Sequence, residues 1–170
     1  MGDFFEIVRQ VLIPMFYKET QLGRSIRKNN LEFKKKLFEE TLELADKADK
    51  GTLKNEDIRK KIMEISSTTG VSVGQAQKVI NVFLKYYCIL TQKPDSIIEE
   101  LDCPLDSQIM SRFKTKGLKR TSLRKMNKIK DYIAWQNHLK ITGKGIRLRP
   151  DIQTYDKERL QIFFSKQKYY

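Results

Sequence analysis

Apolar residues recur every three or four positions along most of the chain, whereas the alternation typical of strands is nearly missing. This pattern indicates an all-α fold, organised as a compact helical domain. We expect helices at about positions 3–21, 30–48, 55–66, 72–91, 96–101, 107–113, 121–140 and 155–165.

The helix predicted at 72–91 is the most apolar of these segments. A turn-forming stretch, 66–74, precedes it, and Ser72 with Gln75 has the spacing of a capping box, which starts a helix. The residues that follow, as far as about Thr91, are apolar on nearly all sides. A helix of this kind is normally buried in a core.

Four positions interrupt this apolar helix at spacings of four, three and four residues: Gly74, Lys78, Asn81 and Lys85. These spacings place them on one face. We refer to them as the polar stripe. The stripe is expected to meet either water, as the solvent edge of a core helix, or a ligand in a cleft.

A chain of 170 residues fits a single domain. The alternative is two small lobes within it. A central lobe, 25–110, would contain a helical hairpin around the turn-forming stretch 66–74. A basic terminal lobe would combine 1–24 with 111–170.

Two features of the sequence argue against membrane insertion and export. The longest apolar run, Val11 to Tyr17, contains Pro14 and is much shorter than the ~20 residues that a membrane span needs. Asp3 and Glu6 lie where a signal peptide is cationic. We therefore expect a cytoplasmic or nucleoid-associated protein that does not use a membrane as a partner.

The sequence offers few metal ligands. Cys88 and Cys103 have no Cys or His partner at metal-ligand spacing, so we expect two buried thiols. His138 is the only histidine, which excludes Ser-His-Asp triads and paired-histidine metal sites. No metal and no cofactor are expected.

The net charge of +13 is concentrated in one stretch, residues 111–149, which we call the basic segment. It holds 13 Lys and Arg residues against the single acid Asp131. A localised cationic surface attracts polyphosphates by releasing their condensed counterions. The alternatives are a solvated lysine-rich face or a surface for an acidic protein partner.

Two motifs carry a resemblance to a known family over about residues 66–113. Residues 70–76, GVSVGQA, match the pattern G-V-G-x-x-x-A except that Ser72 replaces its second glycine. Residues 106–109, DSQI, stand where the family has D-T-H-V. With these motifs the chain resembles the helix-hairpin-helix DNA glycosylase superfamily. Gln77-Lys78 is similar to the Gln-Lys pair of its archaeal 8-oxoguanine branch.

The resemblance implies an activity and its residues. The hairpin would present backbone amides to a DNA phosphate, Lys78 would be the catalytic nucleophile, and Asp106 would cap a helix and assist catalysis. Gly74 occupies the position at which bifunctional members carry lysine, and Lys78 lies one helical turn later on the same face. A flipped base would stack on an aromatic ring. The candidate rings, each also a candidate for the core, are Trp135, Phe113 and Tyr132.

The sequence therefore leaves three functions open: a DNA glycosylase/AP lyase, a non-catalytic DNA- or RNA-binding module, and a basic protein-interaction domain. DNA is favoured over RNA. The residues expected to contact nucleic acid are Gly70, Ser72, Gly74, Lys85, Arg112, Lys114, Lys116, Lys119, Arg120, Arg124, Lys144 and Arg147.

Overall fold

A computed structural model describes residues 30–155 of the chain. Every regular element in this range is helical, and no strand occurs within it, so the all-α prediction is confirmed. The α-helices are α1 (Asn30–Asp49), α2 (Asn55–Thr69), α3 (Val73–Leu90), α4 (Asp95–Ile98), α5 (Ser107–Arg112), α6 (Ile129–Thr142) and α7 (Arg149–Tyr155). A 3₁₀ helix spans Leu123–Lys125.

Helix α3 is the core helix that the sequence predicts. Nearly all of its side chains are buried, and it packs against both α1 and α2. The predicted capping box is present: Ser72 Oγ accepts from Gln75 N at 3.1 Å, and Gln75 Oε1 accepts from Ser72 N at 3.1 Å. One apolar cluster extends from Leu37 on α1 to Leu148 before α7, so residues of both predicted lobes share it.

Several predicted boundaries are wrong. Helix α2 continues to Thr69, whose hydroxyl donates to the carbonyl of Ile65, and it ends at Gly70 in the left-handed region with φ 72°. Helix α6 begins at Ile129 rather than 121, because the 3₁₀ helix and an irregular turn replace its expected first two turns. The helix expected at 3–21 lies outside the described residues.

Helix α7 occupies a stretch for which the sequence predicted no helix. Pro150 stands in its first turn, where proline is tolerated because the first amides of a helix have no intrahelical acceptor. The predicted helix at 155–165 lies beyond Tyr155 and so outside the described residues.

Three of the four residues of the polar stripe, Gly74, Asn81 and Lys85, do not face water, so that part of the prediction is wrong for them, whereas Lys78 is partly exposed. Asn81 is 1% exposed and donates through Nδ2 to the Tyr132 hydroxyl at 2.8 Å. Lys85 is 3% exposed and forms an ion pair with the buried Asp151, Nζ to Oδ2 2.7 Å. The stripe is therefore a seam where α3 meets side chains from the C-terminal half of the chain.

Gly74, at the start of the stripe, allows a close backbone contact. Its amide donates to the carbonyl of Met126 at 2.9 Å, and an added Cβ would lie 2.4 Å from the carbonyl oxygen of Leu123. Ser72 Oγ also donates to that Leu123 oxygen at 2.6 Å. Together these contacts hold the 3₁₀ helix on the N-terminus of α3.

Among the helices of residues 30–155, none combines the length and the apolar character needed to cross a bilayer.

Candidate functional site around Lys78 and Asp106

Lys78 and Asp106, the two residues predicted to be catalytic, lie in contact. Lys78 Nζ is 2.9 Å from Asp106 Oδ2, although the residues are 28 positions apart in sequence. The side chains are 15% and 18% exposed, so solvent reaches the pair. Lys78 Nζ also approaches the carbonyl of Pro104 at 3.4 Å. An amine and a carboxylate thus share a partly dehydrated position at the protein surface.

Asp106 has the predicted N-cap role. Its Oδ1 accepts from the backbone amides of Gln108 and Ile109, both at 2.9 Å, while its Oδ2 contacts Lys78. The two carboxylate oxygens therefore have different partners. Because one oxygen is fixed to the first turn of α5, the other has a defined direction towards the amine.

The extended segment 103–105 that leads to Asp106 is held by two buried glutamines. From α3, Gln77 Nε2 donates to the carbonyl of Leu105 at 2.9 Å, and Leu105 N donates to Gln77 Oε1 at 3.1 Å. From α6, Gln136 makes the same two-point contact with Cys103, at 2.8 and 2.7 Å. Each amide side chain acts as a neighbouring strand would, satisfying both backbone groups of one residue.

Sequence reasoning missed both glutamines as positioning residues. The sequence did contain a signal for such a role: Gln77 places an amide side chain next to the polar stripe on an otherwise apolar helix. A buried amide side chain needs partners, and an extended connection with unpaired backbone groups can supply them.

A buried carboxylate, Asp102, anchors the start of the same segment. It accepts hydrogen bonds from four side chains at 2.7 to 3.3 Å: Asn55, Arg59, Tyr132 and Arg147. Burial, and next the negative charge of Asp102, raises the pKa of Tyr132 well above its ordinary value, so this hydroxyl stays protonated and donates.

Most of the basic segment is at the surface. Of its 13 cations, eleven are exposed, Arg149 is half-buried and Arg147 is buried. The stretch 112–126 begins at the end of α5, which Asp106 caps, and ends at Met126, which is bonded to Gly74. Both ends of this cation-rich loop are therefore held next to the helices that carry Lys78 and Asp106.

Two cations expected to contact nucleic acid are buried and do not belong to the exposed surface of the basic segment. Lys85 is buried against Asp151, and Arg147 is 7% exposed, with Nε on Asp102 at 2.7 Å. We therefore remove Lys85 and Arg147 from the nucleic-acid surface beside Lys78 and Asp106, although Arg147 lines a separate cavity. The amide of Gly74 is also engaged, by Met126, so it does not face outward as a phosphate donor.

Two of the three predicted stacking rings belong to the core. Tyr132 is fully buried and Trp135 is 2% exposed, so neither offers a face to a flipped base. Phe113 is half-buried and directly follows α5, with the Arg112 guanidinium 5.7 Å from its ring centroid. Of the three predicted rings, Phe113 alone is partly exposed.

No group of three or more His, Cys, Asp or Glu side chains within residues 30–155 is arranged to hold a metal ion. Comparison with protein-family models, with curated proteins and with solved structures finds no match for this chain.

Proposed function

We propose that this protein binds nucleic acid and acts on it as a DNA glycosylase/AP lyase, with Lys78 as the nucleophile. The observation that carries the proposal is the 2.9 Å contact between Lys78 Nζ and Asp106 Oδ2. A lysine amine paired with a carboxylate at an accessible position is the minimum machinery for attack on a sugar carbon through a Schiff base.

The chemistry requires the neutral amine of Lys78, so the ammonium ion that pairs with Asp106 must first lose a proton to water. Its lone pair forms a bond to C1′ of the target nucleotide while the C1′–N bond breaks, and the bonding electrons leave with the base, which takes up a proton. Loss of a proton from the lysine nitrogen and opening of the C1′–O4′ bond, with protonation of O4′, then give an imine. Subsequent elimination of the 3′-phosphate is the lyase step.

Asp106 has two roles in this scheme. In the resting protein it pairs with the Lys78 ammonium ion. A sugar entering between the two side chains would separate them, leaving the carboxylate beside C1′, where positive charge develops as the base departs. The N-cap hydrogen bonds at Oδ1 hold the carboxylate in place during this exchange.

The exposed cations of the basic segment supply the affinity for phosphate. They flank the site because α5 precedes them and the N-terminus of α3 holds their far end. Lysine and arginine contacts to backbone phosphates position a nucleic acid without reading its sequence. The proposed surface consists of Arg112, Lys114, Lys116, Lys119, Arg120 and Arg124.

Borohydride trapping tests the catalytic proposal. Borohydride adds hydride to the imine carbon and leaves a stable covalent protein–DNA adduct. We expect an adduct with duplexes that contain an abasic site or 8-oxoguanine. Lys78→Ala should abolish it, whereas the control Lys50→Ala, at an exposed lysine just after α1, should leave it unchanged.

Asp106→Asn separates the charge of Asp106 from its structural role. Asparagine is an equally good N-cap, so the variant should retain its folding stability while the trapping rate falls at least about 100-fold. An adduct that survives Lys78→Ala, or no adduct on any of these duplexes, would refute the assignment of Lys78.

A non-catalytic nucleic-acid-binding module is the second candidate function. It is favoured by the eleven exposed cations, which need no catalytic centre, and by the Lys78 ammonium ion being neutralised already by Asp106. Tight, salt-sensitive duplex binding with no borohydride adduct would select this function over the first.

A further inference from the structure

A second site lies away from the Lys78–Asp106 pair, at a cavity of about 410 Å³. Its lining comprises Glu99 and Glu100, just after α4, and residues from the end of α6 and the turn that follows it. A volume of this size accommodates a small ligand, since ligand cavities typically run from about 300 to 1,000 Å³.

Arg147 lines this cavity, and only one of its guanidinium nitrogens is hydrogen-bonded to another described residue. The residue is 7% exposed, and Nε donates to Asp102 Oδ1 at 2.7 Å. Within residues 30–155, no acceptor is hydrogen-bonded to its two terminal nitrogens. These nitrogens carry four N–H donors in a fixed plane, the geometry that binds two oxygens of a phosphate or carboxylate.

The charges around Asp102 do not balance. Its single negative charge is shared by two guanidinium groups, because Arg59 Nε also donates to it, at 3.1 Å. The trio of Arg59, Asp102 and Arg147 therefore carries a net charge of +1. The charge of Glu100, which also interacts with Arg147, is shared with Lys54. An anion in the cavity would compensate this charge in a region of reduced dielectric, where the interaction is stronger than in water.

Two lysines add positive charge to the lining of the cavity. Lys140, in the last turn of α6, and Lys144, in the following turn, are exposed and line the cavity. With Arg147 they form a cluster of three cations. A dianionic phosphate monoester matches such a cluster better than a carboxylate does.

The lining also contains two carboxylates, Glu99 and Glu100. Glu100 is engaged, because its carboxylate accepts from Asn55 N at 3.0 Å and from Lys54 Nζ at 3.3 Å. Glu99 is exposed, and no hydrogen bond to another residue of 30–155 occupies it. An exposed carboxylate in the same lining as three cations favours a ligand that carries hydroxyl groups in addition to its phosphate.

We propose that this cavity binds a sugar phosphate, with the phosphate monoester on Arg147, Lys140 and Lys144 and the sugar hydroxyls on Glu99. The shared chemistry is a terminal phosphate on a pentose, which occurs in a free sugar phosphate and at the 5′ end of a nucleic-acid strand. The assignment does not depend on Lys78 or on catalysis.

Calorimetric titration of the full chain tests the site, with ribose 5-phosphate, inorganic phosphate and ribose as probes. We expect ribose 5-phosphate to bind more tightly than phosphate, and ribose not to bind. The double variant Lys140→Gln/Lys144→Gln should weaken ribose 5-phosphate binding at least tenfold. The control Lys114→Gln/Lys116→Gln, which removes the same charge from the basic segment, should stay within twofold.

Glu99→Gln tests the sugar end of the site. It should reduce the affinity for ribose 5-phosphate to that for inorganic phosphate while leaving phosphate binding within twofold. Arg147 is left unchanged in these variants because its bond to Asp102 is part of the core.

Short single strands with a 5′-phosphate or a 5′-hydroxyl distinguish the two sources. A tenfold preference for the phosphorylated strand that disappears in Lys140→Gln/Lys144→Gln, without binding of ribose 5-phosphate, identifies the ligand as a strand end. The proposal is overturned if ribose 5-phosphate binds no more tightly than inorganic phosphate and the 5′-phosphorylated strand binds no more tightly than the 5′-hydroxyl strand. It is also overturned if Lys140→Gln/Lys144→Gln and the control Lys114→Gln/Lys116→Gln lose affinity equally. Borohydride trapping at Lys78 is a separate measurement, so the two proposals can fail independently.

Discussion

Gln77 binds both backbone polar groups of Leu105 through one amide side chain, at 2.9 and 3.1 Å. Lys78 follows Gln77 on α3, and Asp106 follows Leu105 on the connection to α5. The register that pairs the first two residues therefore also pairs the next two. The contact that gives the protein its candidate chemistry depends on a structural contact one residue earlier.

Replacing this amide should cost stability. Gln77→Met keeps the length of the side chain but leaves the buried backbone groups of Leu105 without partners, a loss of about 1–3 kcal/mol. Urea denaturation measures it. The control Gln108→Met, at an exposed position, should change the free energy of unfolding by less than about 0.5 kcal/mol. Equal effects from the two variants would mean that the Gln77–Leu105 contact contributes nothing.

Gly74→Ala should separate the 3₁₀ helix from α3. The added Cβ would lie 2.4 Å from the Leu123 oxygen, so one backbone must move, at a cost of about 1–3 kcal/mol. Hydrogen exchange of the Gly74 amide, which is bonded to Met126, should accelerate. Gly117→Ala is a useful comparison because space is open there and only its φ of 98° is unfavourable. Unchanged exchange in Gly74→Ala would contradict the close approach.

The two cysteines should resist thiol reagents in the folded protein. Burial raises the pKa of the Cys88 thiol to about 12, and burial also raises the pKa of Cys103 well above its ordinary value. Because the thiolate is the reactive form, reaction with a disulfide reagent at pH 8 should be slow and should follow unfolding. Addition of urea past the unfolding midpoint should release both thiols. Rapid reaction without denaturant would contradict their burial.

The pairing of Asp57 with Lys47 should appear as acid sensitivity. The hydrogen bond from Lys47, 2.6 Å, holds the pKa of Asp57 below its ordinary value of 3.8. A carboxyl group with a lowered pKa stabilises the fold above its ordinary pKa and loses that contribution as the pH falls through the folded value. The free energy of unfolding of wild type should therefore exceed that of Asp57→Asn by about 0.5 kcal/mol at pH 7. This difference should shrink as the pH falls below the ordinary carboxyl value of 3.8.

Denaturation curves at several pH values check this difference, with Glu39→Gln at an exposed position of α1 as the control. A difference that persists unchanged at low pH would show that the charge of Asp57 is not responsible.

The basic segment should govern the salt dependence of nucleic-acid binding. For duplex DNA, the logarithm of the affinity is expected to fall with the logarithm of the salt concentration by about 0.9 per phosphate neutralised. Lys114→Gln/Lys116→Gln should reduce that slope by about 2. Lys50→Ala/Lys60→Ala, at exposed lysines outside the segment, should leave it unchanged. An unaltered slope in the first variant would remove these lysines from the interface.

Local signals in the sequence predicted local structure well. Ser72 and Asp106 are N-caps as expected, because capping depends on residues two or three positions away. The start of α6 was misplaced because the deciding contact, from Gly74 to Met126, joins distant positions. Helix α7 was missed although Pro150-Asp151 is an acceptable first turn.

The candidate site was predicted in part. The resemblance to the helix-hairpin-helix glycosylases singled out Lys78 and Asp106, and the capping pattern supported the position of Asp106; the structure brings the two side chains into contact. The burial of Lys85 was not foreseeable, because its partner Asp151 is 66 positions away. A lysine on a helix predicts a charge but does not reveal which distant acid will cover it.

The seam on α3 also sets an order of events during synthesis on the ribosome. When Leu90 has emerged, α1, α2 and α3 can already pack together, yet Asn81 and Lys85 have not met the side chains that satisfy them. Those partners, Tyr132 and Asp151, arrive 51 and 66 residues later. The nascent chain must keep that side of α3 hydrated until α7 is made, so the native packing is completed only after α7 has left the ribosome.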